Sequence, residues 1–129
     1  MEASDRVDWK LELVILPVTD VDRAKAFYVD TIGFHADHDQ RVNDRLRFVQ
    51  LTPPGSACSI AFGEGLTDAP AGSVKGLQMV VSDAHAARQE LLDRGLDVGD
   101  VDVQPWGSFI HSSDPDGNRW AVQQLPQRG

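Results

Sequence analysis

Apolar residues fall into short runs separated by polar turns, and the runs come in two rounds. Residues 11–18 and 77–81 are brief stretches dominated by Leu, Ile and Val, which at this length predicts strands rather than helices. Each leads to an aspartate, Asp20 or Asp83, placed to cap a helix by accepting hydrogen bonds from its first-turn amides. Val21, Ala24, Phe27, Tyr28 and Ile32 then recur at helical spacing, as do Ala84, Ala87 and Leu91 in the second round. Gly33 and Gly95 supply helix stops, where a left-handed residue is wanted. Three more strands follow each helix: residues 34–40, 46–52 and 58–62 in the first round, and 96–103, 108–113 and 119–125 in the second. Asn43-Asp44, Pro53-Pro54-Gly55 and Asp114-Pro115-Asp116-Gly117-Asn118 are the turns.

The two rounds are a repeat. Val18-Thr19-Asp20 returns as Val81-Ser82-Asp83, an offset of 83 − 20 = 63, and Ala24 returns as Ala87. Gly33 matches Gly95, and Thr52-Pro53-Pro54-Gly55 matches Asp114-Pro115-Asp116-Gly117, at an offset of 95 − 33 = 62. Each half is therefore a βαβββ unit, and a Gly-, Ala- and Asp-rich stretch over residues 63–72 links them. Gly63-Glu64-Gly65 lacks the further glycine and the helix of a phosphate loop, so it is linker.

Composition narrows the function. A chain of 129 residues, 41% hydrophobic and 25% charged, is the size and make-up of one folded domain. Its net charge of −8 argues against a nucleic-acid or anionic-membrane surface. No apolar run approaches the roughly 20 residues a membrane helix needs. Met1-Glu2-Ala3-Ser4-Asp5 has no basic or apolar region of a secretory leader, so a cytoplasmic location is expected. Cys58, the single cysteine, reads as a small buried apolar residue rather than a nucleophile.

The duplicated unit, with Val-x-Asp opening each helix, Ala26-Phe27-Tyr28, Gly33-Phe34 and Asp114-Pro115-Asp116-Gly117-Asn118-x-Trp120, resembles the glyoxalase, bleomycin-resistance and extradiol-dioxygenase proteins of the vicinal oxygen chelate superfamily over roughly residues 10–126. The resemblance implies an α+β fold in which two βαβββ modules, residues 10–62 and 74–126 about a linker at 63–73, form a curved mixed sheet around a cleft with helices outside. It also implies a homodimer, often with clefts shared between subunits. Enzymes of the family hold a divalent metal at four symmetric positions, which fall here on Leu13, Ser59, Gly76 and Ala121. Three offer no donor atom and a lone serine hydroxyl is too weak, so no metal and no cofactor are expected. Gln78 and Gln123, two residues beyond Gly76 and Ala121, are poor metal ligands but useful to an organic molecule.

Alternation along the strands nominates the cleft lining: Leu13, Ile15 and Pro17, then Ser59 and Ala61, Gln78 and Val80, and Ala121 and Gln123. Val14, Leu16, Ile60, Phe62, Leu77, Met79, Trp120 and Val122 should pack beneath the helices. Phe109 and His111 also point inward, and His111 is the candidate acid–base group or polar contact, against a plain strand histidine. Trp106 sits on a loop at the cleft mouth, placed to stack on a planar ligand or on its own loop. By analogy with Phe109, Arg47 points inward, with Gln50 in its place if the phase slips by one. His35 and His38 fall on opposite faces of one strand and, like His85, read as surface residues. Two functions follow: a metal-independent protein binding a small, largely apolar or aromatic molecule, or a metal-independent lyase, isomerase or cyclase using His111. A metal-dependent glyoxalase or dioxygenase ranks last.

Overall fold

The computed structural model describes residues 7–126; the leader reading of Met1 to Asp5 lies outside them. Its elements run β1 (Leu13–Ile15), α1 (Val21–Ala26), β2 (His35–Asn43), β3 (Leu46–Thr52), β4 (Ser59–Glu64), β5 (Leu77–Val81), α2 (Ala84–Asp93), β6 (Asp102–Gln104), β7 (Gly107–Ser113) and β8 (Arg119–Gln124). They form two four-stranded mixed sheets, β1-β4-β3-β2 and β5-β8-β7-β6, the same order in each half. The α+β architecture of two βαβββ modules is thereby established.

Local chemistry sets the helix limits. The Asp20 carboxylate accepts from the Arg23 amide and that of Asp83 from the Ala86 amide, both at 3.0 Å. After Ala26 the first helix widens into a π-helical segment, Phe27–Ile32, which one uninterrupted apolar stripe did not foretell. The wider turn closes through the amides of Gly33 and Phe34, both donating to the Tyr28 carbonyl, and Gly33 takes a φ of +95° that a side chain would strain. Two strands are shorter than their apolar runs. β1 ends at Ile15, although the Leu16 amide still donates to the Ala61 carbonyl at 2.8 Å just ahead of Pro17. β6 keeps only three residues, since Asp97, Gly99 and Asp100 are poor strand formers.

The helix-facing residues are those that alternation selected. Leu16, Ile60 and Phe62 are buried with Tyr28, Phe34, Val49 and Leu51, and Trp120, Leu77 and Met79 of the second module pack into the same core. A smaller core of Ala84, Val98, Ile110 and Val122 lies under α2. The modules are joined through the first of these cores, on the helix side. The Tyr28 hydroxyl donates to Asp114 at 2.7 Å and accepts from the Trp120 indole at 2.8 Å. Asn118, fully buried, donates to the Pro17 carbonyl at 3.0 Å and to Asp114 at 2.8 Å. The Asp-Pro-Asp-Gly-Asn turn is thus a staple between the halves as well as a tight turn.

Candidate functional site

The other side of each sheet is open. In the first module Leu13 pairs with Ser59 and Ile15 with Ala61, so all four share one face, and Gln50 joins them opposite Ala61. In the second, Gln78 pairs with Ala121 and Val80 with Gln123, while Phe109 and His111 lie opposite Gln123 and Ala121. Ile15 and Val80 remain exposed, 39% and 64%. Because the modules meet on their helix sides, neither open face is covered by the other half of the chain.

Arg47 is a correction. It lies opposite Glu64, on the face turned to α1, where its guanidinium meets Asp39 and Asp22 at 2.9 Å. The cause is hairpin length. Gln50 pairs with Ala61, 61 − 50 = 11 residues on, whereas Phe109 pairs with Gln123, 123 − 109 = 14 residues on. The odd difference of three inverts the alternation of β3 relative to β7, so Gln50, not Arg47, is the counterpart of Phe109. His35 and His38 need a second correction. They pair with Thr52 and Gln50, two residues apart, because a bulge at Asp37 returns both to the open face. Both are exposed there, as is His85 on α2.

The open faces carry ordered polar groups. Gln78 donates to Gln123 at 2.5 Å, and Gln123 donates to the Trp106 carbonyl at 3.1 Å. Trp106 occupies the β6–β7 turn with its ring 61% exposed. The rings of Phe109 and His111 stack with centroids 6.1 Å apart, and the Asp102 carboxylate lies 3.6 Å from His111 Nε2. Asp102 was missed because it entered the sequence pattern only as part of a strand; its pairing with Phe109 places it on the open face. On the first sheet, Asp37 accepts from the Thr52 hydroxyl, Thr52 Oγ1 lies 2.7 Å from Ser59 Oγ, and Gln50 donates to Ser59 at 3.3 Å. Asp37 and Thr52 were also missed, since only the bulge aims the aspartate at the threonine.

These residues do not fit a family-type metal. Leu13 and Ala121 carry no donor, Gly76 has no side chain, and Ser59 is buried with its oxygen engaged by Thr52 and Gln50. No group of three His, Cys, Asp or Glu residues among the described residues is arranged to hold a metal ion.

Two concavities adjoin the second sheet. One, about 440 Å³, lies on the open face against Gly76, Gln78, His111 and Ala121. The other, about 530 Å³, lies between the modules, lined by Tyr28, Phe34, Met79, Leu91 and Trp120, and was not anticipated. Both are within the range of small-molecule sites.

Known proteins share this arrangement. TnmS3, an antibiotic-binding protein from Streptomyces sp. CB03234, is 33% identical, with a TM-score of 0.84 over 94% of this chain and 99% of that one. A glyoxalase/bleomycin resistance protein from the same organism is 35% identical over 89% of this chain and 100% of its own, with a TM-score of 0.77. A member of the superfamily from Sphaerobacter thermophilus DSM 20745 is 27% identical, with a TM-score of 0.78 over 90% and 97% of the two chains. No curated protein sequence matches. Among the described residues no helix is long and apolar enough to cross a membrane. The family model of the Glyoxalase/Bleomycin resistance protein/Dioxygenase superfamily matches residues 10–122, and the chain belongs to that superfamily.

Proposed function

We propose that this protein binds a small, largely apolar or aromatic organic molecule on its open sheet faces without a catalytic metal. The observation that carries the reading is the lining itself. Leu13 and Ala121 put apolar side chains at positions where a metal enzyme needs donors, Ile15, Val80 and Phe109 extend the apolar lining beside them, and Gln78, Gln123, Ser59 and Gln50 supply directional hydrogen bonds. The likeness to an antibiotic-binding protein supports it. The molecule works as a homodimer in the cytoplasm. β1 and β5 are edge strands of their sheets, next to exposed apolar side chains, and a second copy laid against them would cover both and complete the cleft. The free thiol of Cys58 suits a reducing compartment.

The test is elemental analysis of protein purified without added metal, with thermal melts in Mg²⁺, Mn²⁺, Fe²⁺, Ni²⁺ and Zn²⁺ and mass measured in solution. The expected result is a metal-free dimer whose melting point no cation raises. One metal per cleft with a clear upward shift would sink the reading.

A second reading, metal-independent lyase, isomerase or cyclase chemistry, is favoured by one observation, the Asp102 carboxylate beside His111. At 3.6 Å from Nε2 that carboxylate is close enough to steer the imidazole, as a positioned acid–base residue requires. Under this reading His111→Ala lowers turnover by about 100-fold or more, and Asp102→Asn lowers it less. Unchanged turnover in His111→Ala would discard it.

A further inference from the structure

Asp37 and Asp39 lie two residues apart on β2, yet their surroundings are opposite. Asp39 faces α1 and meets Lys25 at 2.8 Å and Arg47 at 2.9 Å. Asp37, turned by the bulge to the open face, has a single basic side chain near it among the described residues, that of His35, whose Nε2 is 3.8 Å from Oδ1 and which is 78% exposed. The other Asp37 oxygen accepts from the Thr52 hydroxyl.

The order of protons in that row follows from valence. As a carboxylate, Asp37 can only accept, so the single Thr52 hydroxyl proton is committed to it. Thr52 Oγ1 must then be the acceptor in its contact with Ser59, which uses the Ser59 proton. Gln50 must accordingly present its N–H to Ser59. Every donor points toward Asp37. Gln50 Oε1 and Asp37 Oδ1 accept no hydrogen bond among the described residues. The second sheet behaves alike: Gln78 donates to Gln123 and Gln123 to the Trp106 carbonyl, and Gln78 Oε1 accepts no hydrogen bond among the described residues. Both open faces therefore offer spare acceptors, and one offers a carboxylate 25% exposed and without an Arg or Lys partner among the described residues.

Building on the proposed binding of an apolar organic molecule, we propose that Asp37 anchors a protonated amine on that molecule, so that the ligand class is a cationic amine carried on an aromatic or otherwise apolar frame. An ammonium brings charge and three donors to a site short of both. A neutral or anionic molecule of the same frame leaves Asp37 unmatched and binds less well. Neutralising Asp39, already held by two cations, should not alter this preference.

The experiment is fluorescence titration of the full-length protein with 9-(aminomethyl)anthracene, protonated at neutral pH, and with its N-acetyl derivative, which keeps the frame and removes the charge. The wild type should bind the amine on the order of 10-fold more tightly, a preference that shrinks as salt rises. Asp37→Asn should erase the preference while leaving affinity for the acetamide unchanged, and Asp39→Asn should keep it. Equal binding of the two probes by the wild type, or a preference that survives Asp37→Asn, overturns the amine proposal and leaves apolar binding intact. Binding of neither probe overturns both. The salt dependence is read on the wild type and stands if Asp37→Asn fails to fold; a preference indifferent to salt also overturns the proposal.

Discussion

The two modules repeat one topology, yet they bury very different interiors. Under α1 the first packs Tyr28, Phe34 and Phe62 with Leu16, Leu51 and Ile60, whereas the buried residues described under α2 are the smaller Ala84, Val98, Ile110 and Val122, flanked by half-buried Leu91, Leu92 and Leu96. The smaller core is supplemented by sending Trp120, Leu77 and Met79 into the larger one, where Trp120 meets Tyr28 and Phe34 at ring distances of 6.0 and 5.9 Å. A duplicated fold thus need not be two equal domains. One half can lend stability to the other, with a cooperative unit spanning both.

The sharpest way to break this dependence is Trp120→Ala. It empties a site in the shared core and removes the indole donor to Tyr28, so unfolding stability should fall by about 3–5 kcal/mol in a single denaturant transition that carries both modules. Two separate transitions would show that the halves stand alone. Tyr28→Phe keeps the ring and loses the hydroxyl, stranding the Trp120 donor, and should cost about 1–3 kcal/mol.

Tyr28 also gives the comparison a pH axis. Burial, the largest cause, with the charge of Asp114 beside it, pushes the phenol far above its ordinary range. The unfolded chain ionises this tyrosine near pH 10 and the folded one does not. Its contribution is whole below that value and is lost as pH rises beyond it. Wild-type protein should lose stability above about pH 10 more steeply than Tyr28→Phe in alkaline melts. Equal slopes would place the phenol outside the core.

The smallest effect is expected at Asp39, which touches only its own module. Hydrogen bonds from Arg47, then from Lys25, hold its carboxylate below the usual carboxylate range. The stabilisation is present above an unfolded value of about 3.9 and disappears as pH falls through the lower folded value. Asp39 lies at the solvent edge, so Asp39→Asn should cost under about 1 kcal/mol at neutral pH and flatten only the acid limb of the melting curve.

Much of this architecture can be read from alternation. The residues of period two that were assigned to the helix side, Leu16, Ile60, Phe62, Trp120 and Val122, are buried there, because a strand flanked by a helix can hide only one face. Both aspartate caps were legible because capping is a local event. What the pattern missed depends on pairing between strands. A hairpin three residues shorter turned Arg47 away, and one extra residue at Asp37 brought an unsuspected carboxylate onto the open face. Neither register is encoded in a single strand. The link from Tyr28 to Asp114 and Trp120 spans more than 80 positions and was invisible for the same reason, although each partner stood out in the sequence.

The unequal hairpins also bear on stereochemistry. Corresponding positions of the open faces already differ, Leu13 against Gly76 and Ser59 against Ala121, and the hairpins widen the difference by placing Gln50 where equal lengths would place Arg47, so a flat guest turned over meets another surface. With a hydroxyl–carboxylate row on one wall and an amide–imidazole row on the other, the two orientations are chemically distinct. A chiral guest and its mirror image should therefore be held with different affinity, although the scaffold arose from two copies of one unit.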